Sequence, residues 1–203
     1  MENIITADGS PTMRNAENGE LYHSKSGAVE EAIEKYIKPC RIAGFNSRLR
    51  VLDIGFGLGY TAIAAIDAKK SGIEIEVISL EKDMLIPQLQ SLKPNLQNYW
   101  IISKLEFDPR TRCYLYEDRL VYLKVMIGDA RETIDRAEGK FDAIFHDPFS
   151  PGRNPDLWTR EFFSKLAHKM KETSVLATYS CARKVRENMA AAGLAVSDGP
   201  IIG

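Results

Sequence analysis

Four short stretches carry side chains able to do chemistry, and each follows an apolar run. The first, Asp53-Ile-Gly55-Phe-Gly57-Leu-Gly59, places glycines at alternate positions behind a carboxylate. Such a loop turns tightly and lets backbone approach a ligand closely. Its spacing is not the dinucleotide G-x-G-x-x-G, and it lacks the lysine of a phosphate-binding P-loop. It suits S-adenosylmethionine, whose amino-acid end needs backbone and carboxylate partners; Asp53 or its neighbours can meet the ammonium directly or through water. The second stretch is Glu81, placed roughly 20 residues past the glycines, where a carboxylate can accept both hydroxyls of a ribose. In the third, Gly128-Asp129-Ala130, the Asp129 carboxylate can accept from the exocyclic amine of adenine. The fourth is Asp147-Pro148-Phe149-Ser150-Pro151, where an acceptor would face a transferable methyl.

Each stretch also has an ordinary structural use. The glycines fit any tight strand-to-helix turn, Glu81 beside Lys82 fits an exposed surface, Asp129 fits a helix N-cap, and Asp147-Pro148 fits a turn. Their conjunction at four consecutive strand ends is more specific than any one of them. Asp147 is singled out as catalytic, with Pro148 fixing the backbone and Phe149 offering an aromatic wall. The three resemble the D-P-P-Y/F pattern of methyltransferases that act on exocyclic amines. Transfer from a sulfonium carbon is an in-line displacement, so alignment is the main task. An amine nucleophile must be uncharged, and a carboxylate that accepts its proton assists.

The elements that must position these residues follow from periodicity. Residues 49–54, 73–80, 141–146 and 174–179 read as buried strands, and two alternating runs within 112–127 flank Glu117-Asp118 as a hairpin. Helices are expected over 27–38 with Ser26 as N-cap, 61–69, 83–92, from Asp129 to about Ala137, from a cap at Asn154 with Pro155 in the first turn, and 182–192. Residues 194–197 are a candidate last strand. Residues 1–22 are polar and read as an arm. Strands alternating with helices mean βαβ units and a mostly parallel sheet with both faces covered. Ligands then bind beyond the carboxyl ends of the strands, where the four stretches lie.

Composition narrows the class. In 203 residues, Lys+Arg 27 against Asp+Glu 28 gives net charge −1, which argues against a polycationic nucleic-acid binder and leaves a local basic face open. No apolar run reaches the ~18 residues of a membrane span, and the N-terminus lacks a secretory pattern, so a cytoplasmic location is expected. Cys40, Cys113 and Cys181 form no CxxC pair, and His23, His146 and His168 have no i, i+4 partner, so no metal site is expected.

The chain resembles the methyltransferase domain of the MnmC family, the tRNA wobble-uridine modification enzymes, in a stand-alone form. The resemblance rests on Thr6-Ala-Asp-Gly-Ser-Pro-Thr, Tyr22-His-Ser-Lys-Ser-Gly-Ala, the glycine loop, Ile127-Gly-Asp, Leu176-Ala-Thr-Tyr-Ser-Cys-Ala-Arg-Lys-Val-Arg and Phe145-His-Asp-Pro-Phe-Ser-Pro-Gly-Arg-Asn-Pro-Asp-Leu-Trp. The last is similar to the family's D-G-F-A-P-x-x-N-P-x-M-W, and the matching stretches span nearly the whole chain. The resemblance implies a Rossmann-like class I fold over residues 23–203. It also implies S-adenosylmethionine as cofactor, and methylation of the 5-aminomethyl group of uridine or 2-thiouridine at tRNA position 34. It assigns the cofactor role to Gly55, Gly57, Gly59, Glu81 and Asp129, to which Gly128 is adjacent. The acid/base or orienting role falls on Asp147. Tyr22 to Ser26 would close over the sulfonium end.

Three departures stand out. Pro148 replaces the usual glycine. The oxidase domain of the bifunctional enzymes does not follow in this sequence, so either another protein supplies the aminomethyl substrate or the substrate differs. The sequence stops at Gly203, before the last strand of a class I sheet, which leaves the 174–179 strand without a neighbour unless the natural chain is longer or the sheet is completed some other way, pairing of two copies being one route. Lys25, Arg153, Arg183, Lys184 and Arg186 are candidates for a basic rim toward tRNA, and Arg110 and Arg112 are further ones. The wobble base could stack on Phe149 or Tyr22. Two rival readings use the same scaffold: a small-molecule amine N-methyltransferase or aminopropyltransferase, and a binding module without catalysis.

Overall fold

The computed structural model describes residues 3–17 and 19–200. The N-terminal segment, expected as a loose arm, is built into the fold. Strands β1 (Asn3–Ile5) and β2 (Pro11–Met13) form an antiparallel hairpin. Its turn residue Asp8 accepts from the backbone N–H groups of Val29 (3.0 Å) and Glu30 (2.9 Å). These are orphan donors of helix α1 (Ala28–Ala32). Ser26 is therefore not the N-cap; Gly27 holds that position and the capping oxygen comes from the hairpin. The helix then widens into a π-turn over Ile33–Ile37, in which Lys38 N–H reaches back to Ile33 O at 3.0 Å.

Strand β3 (Leu49–Ile54) leads through the glycine loop into α2 (Tyr60–Ala68), and β4 (Ile75–Glu81) leads to the short α3 (Ile86–Leu89). The 83–92 segment thus forms one turn of helix rather than three. β5 (Glu106–Asp108) and β6 (Cys113–Glu117) precede β7 (Val121–Ile127). The expected hairpin is β6–β7, and only β6 is additional to the parallel set: β7 pairs parallel with β4 on its other side. Next come α4 (Ala130–Arg136) and β8 (Phe141–His146). Pro155–Trp158 is a 3-10 turn to which Asn154 gives no side-chain cap. Helix α5 (Arg160–Lys169) starts afresh, with Thr159 Oγ1 accepting from Phe162 N–H at 3.2 Å. β9 (Met170–Thr178) and α6 (Arg183–Ala191) complete the order.

The sheet order is β5-β6-β7-β4-β3-β8-β9, with β7, β4, β3, β8 and β9 parallel. Period-two alternation sends neighbouring residues to opposite layers. Val51 and Val77 pack with α1 and α2, while Leu52, Ile54 and Leu80 pack with α4, α5 and α6. From β3 the chain first adds strands on one side, then returns to add β8 and β9 on the other. The carboxyl ends of β3, β4 and β8 meet at this reversal, where α/β sheets bind ligands. The seven strands come from one chain, but β5 and β6 supply the extra ones at the far edge. Among the described residues β9 has β8 as its one neighbour, and residues 194–200 form no strand. The point about the chain ending at Gly203 lies outside the described residues. No helix among those described is long and apolar enough to cross a membrane.

Candidate active site

A crevice of about 800 Å³ opens at the carboxyl ends of β3, β4 and β8. Its walls include Tyr22, Gly55, Gly57, Glu81, Asp129, Asp147, Pro148, Phe149 and Arg153. Nine residues expected at the site from separate strand ends and from the N-terminal segment are thus brought together. Asp53, Gly59, Gly128, Lys25, Ser26, Arg183 and Lys184 do not line the crevice.

The glycine loop is shaped by contact as much as by turn geometry. Gly55 has φ 89°, and a Cβ there would come within 2.7 Å of the Asp147 carbonyl oxygen. A side chain at Gly55 would drive the loop and the Asp147 turn apart. Gly57 (φ 52°) sits under the Tyr22 ring, which a Cβ would meet at 3.2 Å. Its N–H donates to Glu81 Oε2 at 2.8 Å, while Lys82 N–H (2.7 Å) and Asp83 N–H (3.0 Å) donate to Oε1. Three backbone amides therefore aim this carboxylate. Burial still raises its pKa above the ordinary value, the amide donors opposing.

Beneath the loop, Asp53 is fully buried. Ser79 Oγ donates to its Oδ2 at 2.8 Å, and Oδ1 has no hydrogen-bond partner. Burial pushes its pKa up to about 7, with Glu81 adding to the rise. Asp129 caps α4 through Arg131 N–H (2.8 Å), as its ordinary structural use predicts. Its carboxylate is also forked by the Arg131 guanidinium, with Nη2 to Oδ2 at 2.6 Å, and this pair holds its pKa low. Arg131 reaches on to Asp156 at 2.7 Å. Sequence reasoning did not single out Arg131; an Arg two residues after the strand-end Asp was the available signal.

On the opposite wall, Asp147 N–H donates to Ile54 O at 2.9 Å, fixing the turn after β8 to the end of β3. The Asp147 Oδ1 atom accepts from the Tyr36 hydroxyl at 2.5 Å. Burial moves Asp147 well above the usual carboxylate range; the Tyr36 bond and Lys35 act downward, Glu31 and Asp53 upward. Pro148 is buried, and its carbonyl accepts from Tyr179 OH at 3.0 Å. The Phe149 ring lies 5.1 Å from that of Tyr22, centroid to centroid. Glu20 holds Ser150 Oγ at 2.6 Å and approaches Arg153 at 3.8 Å. The 20–22 segment thus straps the acceptor end. Burial raises Tyr22 to about 12, so its hydroxyl stays protonated.

The crevice also recruits α1 and its π-turn, which the strand-end reading did not reach. Glu31 and Lys35 line it and pair at 2.5 Å. The expected basic rim is mostly dispersed. Arg153 is on the crevice, but Lys25 and Lys184 are exposed elsewhere, Arg183 pairs with Glu187 and Arg186 with Asp198. Helix α6 turns Val185 and Met189 inward, which sends its basic residues outward. Ser26 is exposed and bonded to Ser24 at 2.7 Å. Among the described residues no three His, Cys, Asp or Glu side chains converge as a metal site would require.

The donor set fits S-adenosylmethionine: an amide-held carboxylate at the β4 end, a backbone loop open to close approach, and a second carboxylate at the α4 cap. Comparison with known proteins agrees. Residues 64–203 match the model of an S-adenosyl-L-methionine-dependent methyltransferase family. An uncharacterized protein of Methanocaldococcus jannaschii is 31% identical over 98% of this chain and 56% of its own length. The tRNA 5-methylaminomethyl-2-thiouridine biosynthesis bifunctional protein MnmC of Aromatoleum aromaticum is 30% identical over 97% of this chain and 33% of its own. The chain therefore spans about half the length of the first relative and a third of the second. The crystal structure of MnmC2 from Aquifex aeolicus superposes with TM-score 0.83 at 34% identity, covering 100% of this chain and 67% of that one. A precorrin-6y C5,15-methyltransferase of Geobacter metallireducens, 12% identical with TM-score 0.50, shares the fold. The sheet, the crevice at its reversal and these matches agree on one class: the chain is a class I fold belonging to the S-adenosyl-L-methionine-dependent methyltransferases, related to the MnmC methyltransferase domain.

Proposed function

We propose that this chain methylates the 5-aminomethyl group of uridine, or of 2-thiouridine, at the wobble position of tRNA. The observation that carries the reading is the position of Asp147: its carboxylate shares one crevice with the Gly55–Gly57 loop and Glu81. In this reading the donor end is held by the Gly55 and Gly57 backbone and by Glu81 on the ribose hydroxyls. Asp129 serves the adenine amine, and Asp53 serves the ammonium through a water at its unpartnered Oδ1. Gly59 and Gly128 shape the turns, and Tyr22 covers the sulfonium end. When bound, the donor presents a methyl on positively charged sulfur, and a neutral amine in line makes the N–C bond while the C–S electron pair stays on sulfur.

Asp147 accepts a proton from the acceptor nitrogen, leaving its lone pair free. Pro148 holds that carboxylate's turn rigid, Phe149 and Tyr22 give a stacking surface for a splayed base, and Arg153 meets a flanking phosphate. The names of the MnmC relatives support tRNA as partner. The reading calls for a separate activity that supplies the aminomethyl uridine, and for work in the cytoplasm, where tRNA is used. One observation favours the rival: Glu20, Glu31 and Asp147 make the acceptor end acidic, and Arg153 is alone there of the five expected rim cations. A small cationic amine suits such a pocket.

Radiolabelled methyl transfer decides between them. Aminomethyl-bearing tRNA should be labelled, with nucleoside mass spectrometry showing 5-methylaminomethyl-uridine. Tri- and diamines should compete poorly. Labelling of free amines with tRNA untouched would overturn the proposal.

A further inference from the structure

Tyr36 does work that no strand-end motif announces. It falls inside the helix expected over 27–38, and its ring packs edge-on against Phe145, centroids 5.8 Å apart. Yet Tyr36 is completely buried and its hydroxyl needs a partner, which in this site is Asp147 Oδ1 at 2.5 Å. The π-turn over Ile33–Ile37 matters here: widening the helix by one residue per turn changes which side chains face the strand ends. Within this turn Tyr36 faces the β8 end and Lys35 lies on the crevice wall, beside Glu31 of the preceding turn.

We propose that Tyr36 is a positioning residue for methyl transfer: its hydroxyl locks one oxygen of Asp147 and presents the other to the acceptor nitrogen. The inference rests on Asp147 being the proton acceptor proposed above. Charged and titratable groups face Asp147 from several elements, Glu20 among them from the N-terminal strap. Tyr36, Glu31 and Lys35 come from the first helix, Asp53 from β3, and Tyr179 from the segment after β9. Burial, Glu31 and Asp53 all favour the neutral acid, which would have no charge with which to draw a proton from nitrogen. Tyr36 and Lys35 oppose them. Because burial and Asp147 both hold the Tyr36 phenol well above its ordinary pKa, it stays a donor through the working range. Burial makes this carboxylate more basic than a surface aspartate, and the Tyr36 bond favours its charged form, which suits a general base.

The test is Tyr36→Phe, which keeps the ring and deletes the hydroxyl. Removing a donor to the charged form raises the Asp147 pKa, so the acidic limb of the kcat/KM profile should move up by about one pH unit. Transfer at pH 7 should fall about tenfold and recover at higher pH, with KM for the donor unchanged. Carbon-13 NMR of the Asp147 carboxyl, assigned with Asp147→Asn, should show the same upward shift in the free protein. Replacing Tyr36 with 3,5-difluorotyrosine, a stronger donor of similar shape, should move the limb down; it also serves if the Phe variant folds poorly. A loss equal at every pH, or an unmoved carboxyl titration, would overturn the proposal. A wild type inactive on aminomethyl tRNA and on amines alike would fail the functional reading, while the NMR titration would still judge Tyr36.

Discussion

The two ends of the crevice hold their carboxylates differently, although burial raises the pKa of Glu81 at one end and of Asp147 at the other. At the donor end the two carboxylates on the crevice wall that are read as meeting the ribose and adenine are each held by three donors. Three backbone amides hold Glu81, and Arg131 grips Asp129 with both side-chain and backbone donors. These groups are aimed before any ligand arrives, which suits recognition of a fixed molecule. At the acceptor end Asp147 has one hydroxyl on one oxygen, two acidic neighbours and a buried setting that raises its pKa. It accepts from one donor where Glu81 and Asp129 accept from three each, and that is where proton transfer needs a reactive group. The contrast separates holding from reacting within a single cavity.

The sharpest way to break this comparison is Asp147→Ala. Transfer should fall by about 10²- to 10⁴-fold, the range for a lost general base, with donor binding by calorimetry intact. Activity that survives would remove Asp147 from the mechanism and erase the difference between the ends. Glu81→Ala should give the inverse pattern. Donor affinity should drop about tenfold to a hundredfold, because three amides and the ribose lose a charged acceptor, while kcat at saturating donor changes little. A fall in kcat alone would mean that Glu81 belongs to the reacting end. The smallest effect is expected at the rim. Arg153→Glu should weaken tRNA binding severalfold and reduce its salt dependence, whereas Lys184→Glu, remote from the crevice, should leave both unchanged. Equal losses from the two reversals would restore the wide basic face that the structure disperses.

The strand ends were legible because their geometry is local. An apolar run, a tight turn and a carboxylate are consecutive in sequence, and a parallel sheet delivers such turns to one edge whatever the details. Helix boundaries were less legible where the deciding group is remote. Ser26 has the chemistry of a cap, but Asp8 on a folded-back hairpin reaches the α1 amides instead. Asn154-Pro155 has the chemistry of a helix start, yet the chain makes a 3-10 turn first and Thr159 caps α5. The basic rim failed for a similar reason. Residues adjacent in sequence on α6 point according to which of its sides packs, and Val185 and Met189 settle that.

From its residues alone, this chain determined an alternating α/β sheet with Gly55, Gly57, Glu81, Asp129 and Asp147 at neighbouring strand ends, because period-two burial and turn chemistry act over a few residues. Tertiary structure decided what faces those carboxylates. That Arg131 reaches on from Asp129 to Asp156, that Asp53 keeps an unpartnered oxygen, and that Tyr36 bonds Asp147 all depend on packing between segments far apart in the chain. The strength of a buried charge is set by whatever surrounds it in space, and no local pattern encodes those surroundings.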